Sequence, residues 1–286
     1  MKSITYKKIQ LNNYYIDIMA NIYVNNSEIC KGVLLYFHGG GLIYGTKEDL
    51  PQLHIDKLCN AGYAIISYDY RLAPETKFPS ILEDVLDGMH YYIENKDFLG
   101  FSNCPYYLWG RSAGAYICLL AANQVLKEKP QGIISYYGYS FSVPNWFNSG
   151  NPFYLTFPFV KEDLIKTIIE DKIITSGPIE KRFVIYLYAR QRGNWLSLIY
   201  GSESEFLSKY SLKHNVANLP PVFLAHNFKD KDVPYTEALA LSKMLKNTTL
   251  YSCSANDHDF DRNIRDRNTI NLLDKTIDFL NEIKWL

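Results

Sequence analysis

Gly110-Arg111-Ser112-Ala113-Gly114 stands between an apolar segment, Tyr106-Tyr107-Leu108-Trp109, and a helix-forming run, Ala115-Tyr116-Ile117-Cys118-Leu119-Leu120-Ala121-Ala122. Strand, G-x-S-x-G, helix is the context in which the middle serine becomes a nucleophile on a sharp turn. The flanking glycines have a steric job there, because a side chain at either position would strike the adjoining strand or helix. The serine hydroxyl then stands above the sheet edge, beside a helix N-terminus whose unpaired N–H groups favour a developing anion.

Outward from this turn, apolar runs alternate with helical spacing. Residues 4–10 and 14–24 flank Asn12-Asn13 and predict an antiparallel hairpin. Strands are predicted at 33–37, 63–70, 106–109, 132–137, 222–226 and 248–253, with helices at 51–60, 79–94, 235–245 and 268–283. Such alternation predicts an α/β fold with a mostly parallel central sheet and helices on both faces. Sites in such sheets lie at the carboxyl ends of the strands. His38, Ser112, Asp230 and His258 all follow predicted strands and so share that edge. Residues 139–210 break the alternation with an aromatic stretch around Trp146, an amphipathic stretch at 161–174 and a further segment at 181–200. That is too long for a plain loop. It predicts an inserted helical cap at 139–210, with a core formed by 1–138 and 211–286.

A serine nucleophile needs a base, and the base needs an orienting acid; on this kind of elbow both follow the serine in the chain. Among the six histidines, His38 belongs to a glycine-rich turn, while His54 and His90 precede the serine in predicted helices. His214 lies in a polar segment, and His226 precedes every acid of its own loop. His258, in the loop after the last predicted strand, is the expected base. The acid is expected from Asn227-Phe228-Lys229-Asp230-Lys231-Asp232-Val233-Pro234, where Asp230 and Asp232 compete. Asp230 is preferred, because Val233-Pro234 begins the return to the helix and leaves Asp230 nearer the loop apex. After the strand at 33–37 comes His38-Gly39-Gly40-Gly41, whose consecutive N–H groups, with that of Ala113, can face a substrate oxyanion.

In order, His38-Gly39-Gly40-Gly41, Tyr68-Asp69-Tyr70-Arg71-Leu72-Ala73-Pro74-Glu75 with Phe78-Pro79, Gly110-Arg111-Ser112-Ala113-Gly114, Asp230-x-x-Val233-Pro234 and His258-Asp259-Phe260-Asp261 resemble the hormone-sensitive-lipase-like esterase/lipase branch of the α/β-hydrolases. The resemblance runs from about residue 30 to the C-terminus, apart from the cap. It implies an α/β-hydrolase fold, a catalytic triad of Ser112, Asp230 and His258, and an oxyanion hole from Gly40, Gly41 and Ala113. It also implies that Arg71, Glu75 and Asp84 serve structure. Many members carry an acidic residue where Arg111 stands and an aromatic one where Leu42 stands. The first departure is expected to alter the electrostatics behind the nucleophile, the second the shape of the pocket.

The expected activity is a serine carboxylesterase acting on short- to medium-chain acyl esters through an acyl-enzyme. Amide or peptide cleavage and deacetylation of a sugar or metabolite use the same triad. A non-catalytic receptor on this fold is a third reading, disfavoured because all three triad positions are filled. No metal or organic cofactor is implied. Lys+Arg and Asp+Glu each total 30, so charge suggests binding neither to nucleic acid nor to anionic membranes. No apolar run reaches membrane-spanning length, and the first residues lack a secretory apolar region. Five cysteines without CxxC spacing, with Cys118 and Cys253 expected to be buried thiols, fit a reducing compartment. The expected location is cytoplasmic and the expected partner a small-molecule ester. Oligomeric state is left open, a homodimer included.

Overall fold

Strands β1 (Lys2–Leu11) and β2 (Tyr14–Tyr23) form an antiparallel hairpin that opens one sheet of eight strands. The computed structural model describes residues 1–25, 29–124, 126–214, 216 and 218–283, with His214 described by its backbone alone. The chain continues through β3 (Gly32–Phe37), α1 (Gln52–Asn60), β4 (Tyr63–Tyr68), α2 (Phe78–Asn95), β5 (Tyr106–Arg111), α3 (Ala113–Ala122) and β6 (Ile133–Tyr136). After an insertion carrying α4 (Glu162–Lys166), α5 (Ile179–Arg192), α6 (Trp195–Ile199) and α7 (Glu203–Tyr210), it closes with β7 (Val222–Asn227), α8 (Tyr235–Met244), β8 (Thr248–Cys253) and α9 (Arg267–Glu282). The spatial order is β1-β2-β4-β3-β5-β6-β7-β8; β2 meets β4 antiparallel, and every pair from β4 to β8 is parallel.

Alternation along the strands explains why both faces need covering. In β3, Val33, Leu35 and Phe37 join one core with residues of α2, α3 and α8, while Leu34 and Tyr36 join a second with residues of α1 and α9. Strands β4 and β5 split the same way, with Ile66 and Leu108 on one side and Ile65 and Trp109 on the other. A side-chain period of two, apolar on both faces, is what a doubly covered parallel sheet requires. Helix α3 is buried along its whole length, as its run of Ala, Ile, Cys and Leu predicts.

The insertion departs from its expected helices in two ways. Across 161–174 the helix covers only Glu162–Lys166. The β-branched run Thr167-Ile168-Ile169 is poor helix material, and the chain beyond it is held extended: Leu72 donates to the Ile174 carbonyl, and Gly45 and Gly177 exchange both backbone bonds. Residues 181–200 divide into α5 and α6, since α5 ends at a left-handed Gly193. Among the described residues no helix is long and apolar enough to cross a membrane.

Candidate active site

At the end of β5 the backbone of Ser112 adopts φ 51° and ψ −117°, a conformation L-residues rarely occupy. The sequence permits it through its two glycines. A Cβ at Gly110 would overlap the backbone of Gly114 and Ala115, and one at Gly114 would overlap the carbonyls of Phe37 and His38. The Ser112 hydroxyl therefore stands at the start of α3, above the carboxyl edge of the sheet.

Ser112 Oγ lies 3.0 Å from His258 Nε2, and His258 Nδ1 lies 2.6 Å from Asp230 Oδ2. An ionised Asp230 can only accept, so Nδ1 carries a proton, and in the neutral imidazole Nε2 is left to accept from the serine. Of the two competing acids, Asp230 reaches the histidine. Its other oxygen accepts from the backbone N–H groups of Asp232 (2.8 Å) and Val233 (3.0 Å), which closes the loop around the carboxylate. Asp232 instead accepts from the Tyr186 hydroxyl, whose single O–H is shared between its two oxygens at 2.9 and 3.0 Å, and pairs with Arg190.

Burial opposes a charge on His258, but the Asp230 carboxylate outweighs it and lifts the imidazole from 6.5 to about 9. Burial likewise penalises the Asp230 anion, yet the field of His258 and hydrogen bonds from His226 and His258 hold its carboxyl below the ordinary range. The pair is thus built to hold an imidazolium once it forms.

Two supports of this array carried no sequence signal strong enough to be singled out. His226, not expected at the site from its place in the chain, puts Nε2 3.2 Å from Asp230 Oδ2 and 3.1 Å from the Val233 carbonyl, so it braces the acid from below. The i, i+4 spacing of His226 and Asp230 at a strand end was the available clue. Asn227, fully buried, donates to the carbonyls of Ala255 and Asp257 and accepts from the N–H groups of Lys229 and Ala255. One amide therefore ties the acid's loop to the base's loop.

The glycine turn faces the serine. Gly39 packs against the elbow, where a Cβ would come within 2.9 Å of the Arg111 carbonyl. His38 Nδ1 lies 2.9 Å from the Gly39 carbonyl, and the Gly40 carbonyl accepts from Ile43 (2.9 Å) and Tyr44 (3.1 Å). In a trans peptide the N–H points opposite the C=O. Pinning those two carbonyls on one side therefore turns the N–H groups of Gly40 and Gly41 to the other. Among the described residues, neither they nor Ala113 N–H donates to a protein acceptor. Gly39, Gly40, Gly41, Ser112 and His258 line one cavity of about 270 Å³. Its far wall is aromatic, from Phe153, Tyr154, Phe157, Phe183 and Tyr186 of the insertion.

The departures noted in sequence have physical answers. Arg111 is buried but neutralised: it donates to Asp261 Oδ1 (2.9 Å) and the Tyr137 hydroxyl (2.7 Å), and lies 3.5 Å from Asp49. Asp261 also faces His54 Nε2 at 2.9 Å. Because Asp261 closes the His258 loop, this network fastens that loop to the strand bearing the nucleophile. Leu42 is fully buried and does not line the cavity, so any effect on pocket shape is indirect. Arg71, Glu75 and Asp84 lie outside the cavity: Arg71 grips Asp84 through Nε and Nη2, and Glu75 pairs with Arg182 of α5. The five thiols are free, with Cys118 and Cys253 buried, and the described residues contain no cluster of metal ligands.

Comparison with known proteins agrees with this architecture. The family model described as BD-FAE matches residues 20–245. The chain is similar to Lipase 2 of Moraxella sp. (strain TA144), 35% identical over 97 residues that make up 34% of this chain and 22% of that protein. Ethyl acetate hydrolase of Pseudomonas putida is 32% identical over 101 residues, 35% of this chain and 32% of the relative. Human hormone-sensitive lipase is 31% identical over 110 residues, 37% and 10% respectively. The chain thus spans a third or less of the length of these relatives. Two solved structures match nearly end to end. A Staphylococcus aureus subsp. aureus Mu50 protein of unknown function has TM-score 0.85, 32% identity and 99% coverage of both chains. An α/β-hydrolase superfamily protein from Enterococcus faecalis has TM-score 0.81 and 27% identity, covering 98% of this chain and 99% of its own. With its eight-stranded, doubly covered sheet and its match over most of its length, the chain belongs to the BD-FAE family, within the hormone-sensitive-lipase-like branch of the α/β-hydrolases.

Proposed function

We propose that the chain is a serine carboxylic-ester hydrolase that cleaves short- to medium-chain acyl esters. The observation that carries this reading is the continuous path Ser112 Oγ–His258–Asp230 beside the unpartnered N–H groups of Gly40, Gly41 and Ala113. Ser112 attacks the ester carbonyl while His258 Nε2 takes its proton. Asp230 holds the ring and stabilises the imidazolium, and the three N–H groups receive the oxyanion. His258 returns the proton to the leaving alkoxide. Water then gives a proton to the same nitrogen as it attacks the acyl carbonyl, and His258 passes that proton to Ser112 Oγ as the C–Oγ bond breaks and the acid leaves.

Residues 139–210 act as the cap, supplying the aromatic wall. A cavity of about 270 Å³ lies below the roughly 300–1,000 Å³ of drug-sized sites, which favours short or medium acyl groups. Free thiols support the cytoplasmic location expected from the sequence.

The test is turnover of p-nitrophenyl esters of graded acyl length, with matched aryl amides, for the native chain and Ser112→Ala. Ester cleavage that disappears in Ser112→Ala is the expected result. Turnover that persists in the variant overturns the mechanism, and amide rates equal to ester rates overturn the substrate class.

A further inference from the structure

Trp195 of α6 is fully buried, does not line the cavity, and donates its indole N–H to the Gly41 carbonyl at 2.9 Å. That carbonyl belongs to the peptide joining Gly41 to Leu42. Leu42 has φ 65°, in the left-handed region that a leucine disfavours by about 1–2 kcal/mol. Flipping this peptide rotates φ of Leu42 by about 180°, to roughly −115°, in the open β region. The turn therefore has a local incentive to rearrange at this peptide, which adjoins the Gly40–Gly41 peptide whose N–H faces the serine. Ile43 and Tyr44 hold the preceding carbonyl, that of Gly40, from within the turn. The Gly41 carbonyl is held from the insertion instead. The Tyr186 ring closes the same spot, since a Cβ on Gly41 would overlap it.

From this arrangement we infer that Trp195 is a positioning residue for catalysis: its N–H holds the Gly41 carbonyl as a second anchor, beside the Gly40 carbonyl held by Ile43 and Tyr44, and so fixes Gly41 with its N–H facing the oxyanion. The inference rests on the ester-hydrolase reading and adds that the insertion supplies part of the catalytic preorganisation as well as a wall. It also gives Leu42 a meaning, as the residue whose strain the indole bond restrains.

The clean test replaces the indole N–H by sulfur, Trp195→benzothienylalanine, which preserves the ring shape and removes the donor. Trp195→Phe accompanies it, with Phe206→Leu as a control; Phe206 is a buried aromatic of α7 packed on Phe78 and Phe141. On a p-nitrophenyl butyrate substrate, kcat of the sulfur variant should fall about tenfold to a hundredfold, short of the 10²–10³ for deleting an oxyanion donor outright. KM should stay within about twofold, and inhibition by an alkylboronic acid, whose tetrahedral adduct needs the same N–H groups, should weaken by the factor lost in kcat. The pH midpoint of kcat/KM should not move. Phe206→Leu should lower thermal stability and leave kcat and boronate affinity intact. A folded sulfur variant with native kcat and boronate affinity, or one altered in KM alone, overturns the inference and spares the hydrolase reading. So does a Trp195→Phe loss that merely tracks stability as Phe206→Leu does. A native chain without Ser112-dependent turnover overturns both.

Discussion

Asp230 and Asp232 stand two residues apart on the loop after β7, yet one supports the floor of the cavity from beneath His258 and the other lines its roof. Asp230 turns down to His258 and His226, both carried by sheet-edge segments. Asp232 turns up to Tyr186 and Arg190 of α5. The floor is held by backbone turns and short polar reaches along one sheet edge. The roof is held by long side chains reaching between the insertion and the core: Arg190 lies over the rings of Trp146, Tyr186 and Trp195, and buried Glu237 of α8 accepts from Ser140, Val143 and Trp146. The floor supplies reacting groups, and the roof fixes their surroundings.

The two aspartates give the strongest way to break that division. Asp230→Asn should lower kcat by about 10⁴, because the amide no longer fixes the tautomer or supports the imidazolium. Asp232→Asn should keep most of the turnover. The pH profile sharpens the contrast. Attack requires neutral His258, so in the native chain kcat/KM should rise with pH and level off above about 9. With Asp230 neutral, burial opposes only the weaker fields of Asp232 and Asp259, and the residual activity should titrate well below 9. Asp232 also raises His258 through its field, more weakly, so Asp232→Asn should shift the midpoint down by less. Equal losses of kcat in the two variants would erase the distinction.

Stability separates floor and roof next. Asp261→Asn leaves Arg111 fully buried with only Asp49, at 3.5 Å, for a counter-charge and also strips His54 and Tyr137 of their shared carboxylate acceptor; breaking such a pair costs about 3–5 kcal/mol. Asp232→Asn leaves Arg190 its backbone acceptors, Trp146 O and Asp232 O, and the surrounding rings. A loss nearer 2 kcal/mol is expected, as for one charged hydrogen bond. Denaturant midpoints of the two variants at neutral pH measure the order, and a reversed order would mean that the roof carries the more demanding charge.

How far the sequence could be read follows the same line. The elbow, the glycine turn and the strand ends are coded locally: Gly110 and Gly114 flank Ser112, and short, nearly continuous apolar runs mark β3 to β7. Hence the fold and the residues that meet at Ser112 were legible, and Asp230 could be preferred from Val233-Pro234 alone. The supports were not, because their partners are distant in the chain. Arg111 meets Asp261 150 residues on, Trp195 meets Gly41 154 residues back, and Glu237 meets Ser140 97 residues back. Helix boundaries in the insertion failed for a related reason. The amphipathic stretch at 161–174 is helical only over Glu162–Lys166, and backbone bonds from Leu72 to Ile174 and between Gly45 and Gly177 hold the chain extended from its end onward.

The gentlest probe is the aromatic wall. Phe183 lies in the cavity lining, its ring set edge-on to Tyr44 at 5.9 Å and near Tyr186 at 6.4 Å, with no hydrogen bond to the reacting groups. Its contact with substrate is apolar and the same in ground and transition states, so Phe183→Ala removes uniform binding. KM should rise about threefold to tenfold with kcat unchanged, the partial loss expected for one ring of several. The effect should grow with acyl length if the acyl chain lies against this wall, and stay flat if the alcohol does. Steady-state kinetics across the ester series decide between those two placements. A fall in kcat at constant KM would instead assign the ring to a positioning role like that of Trp195.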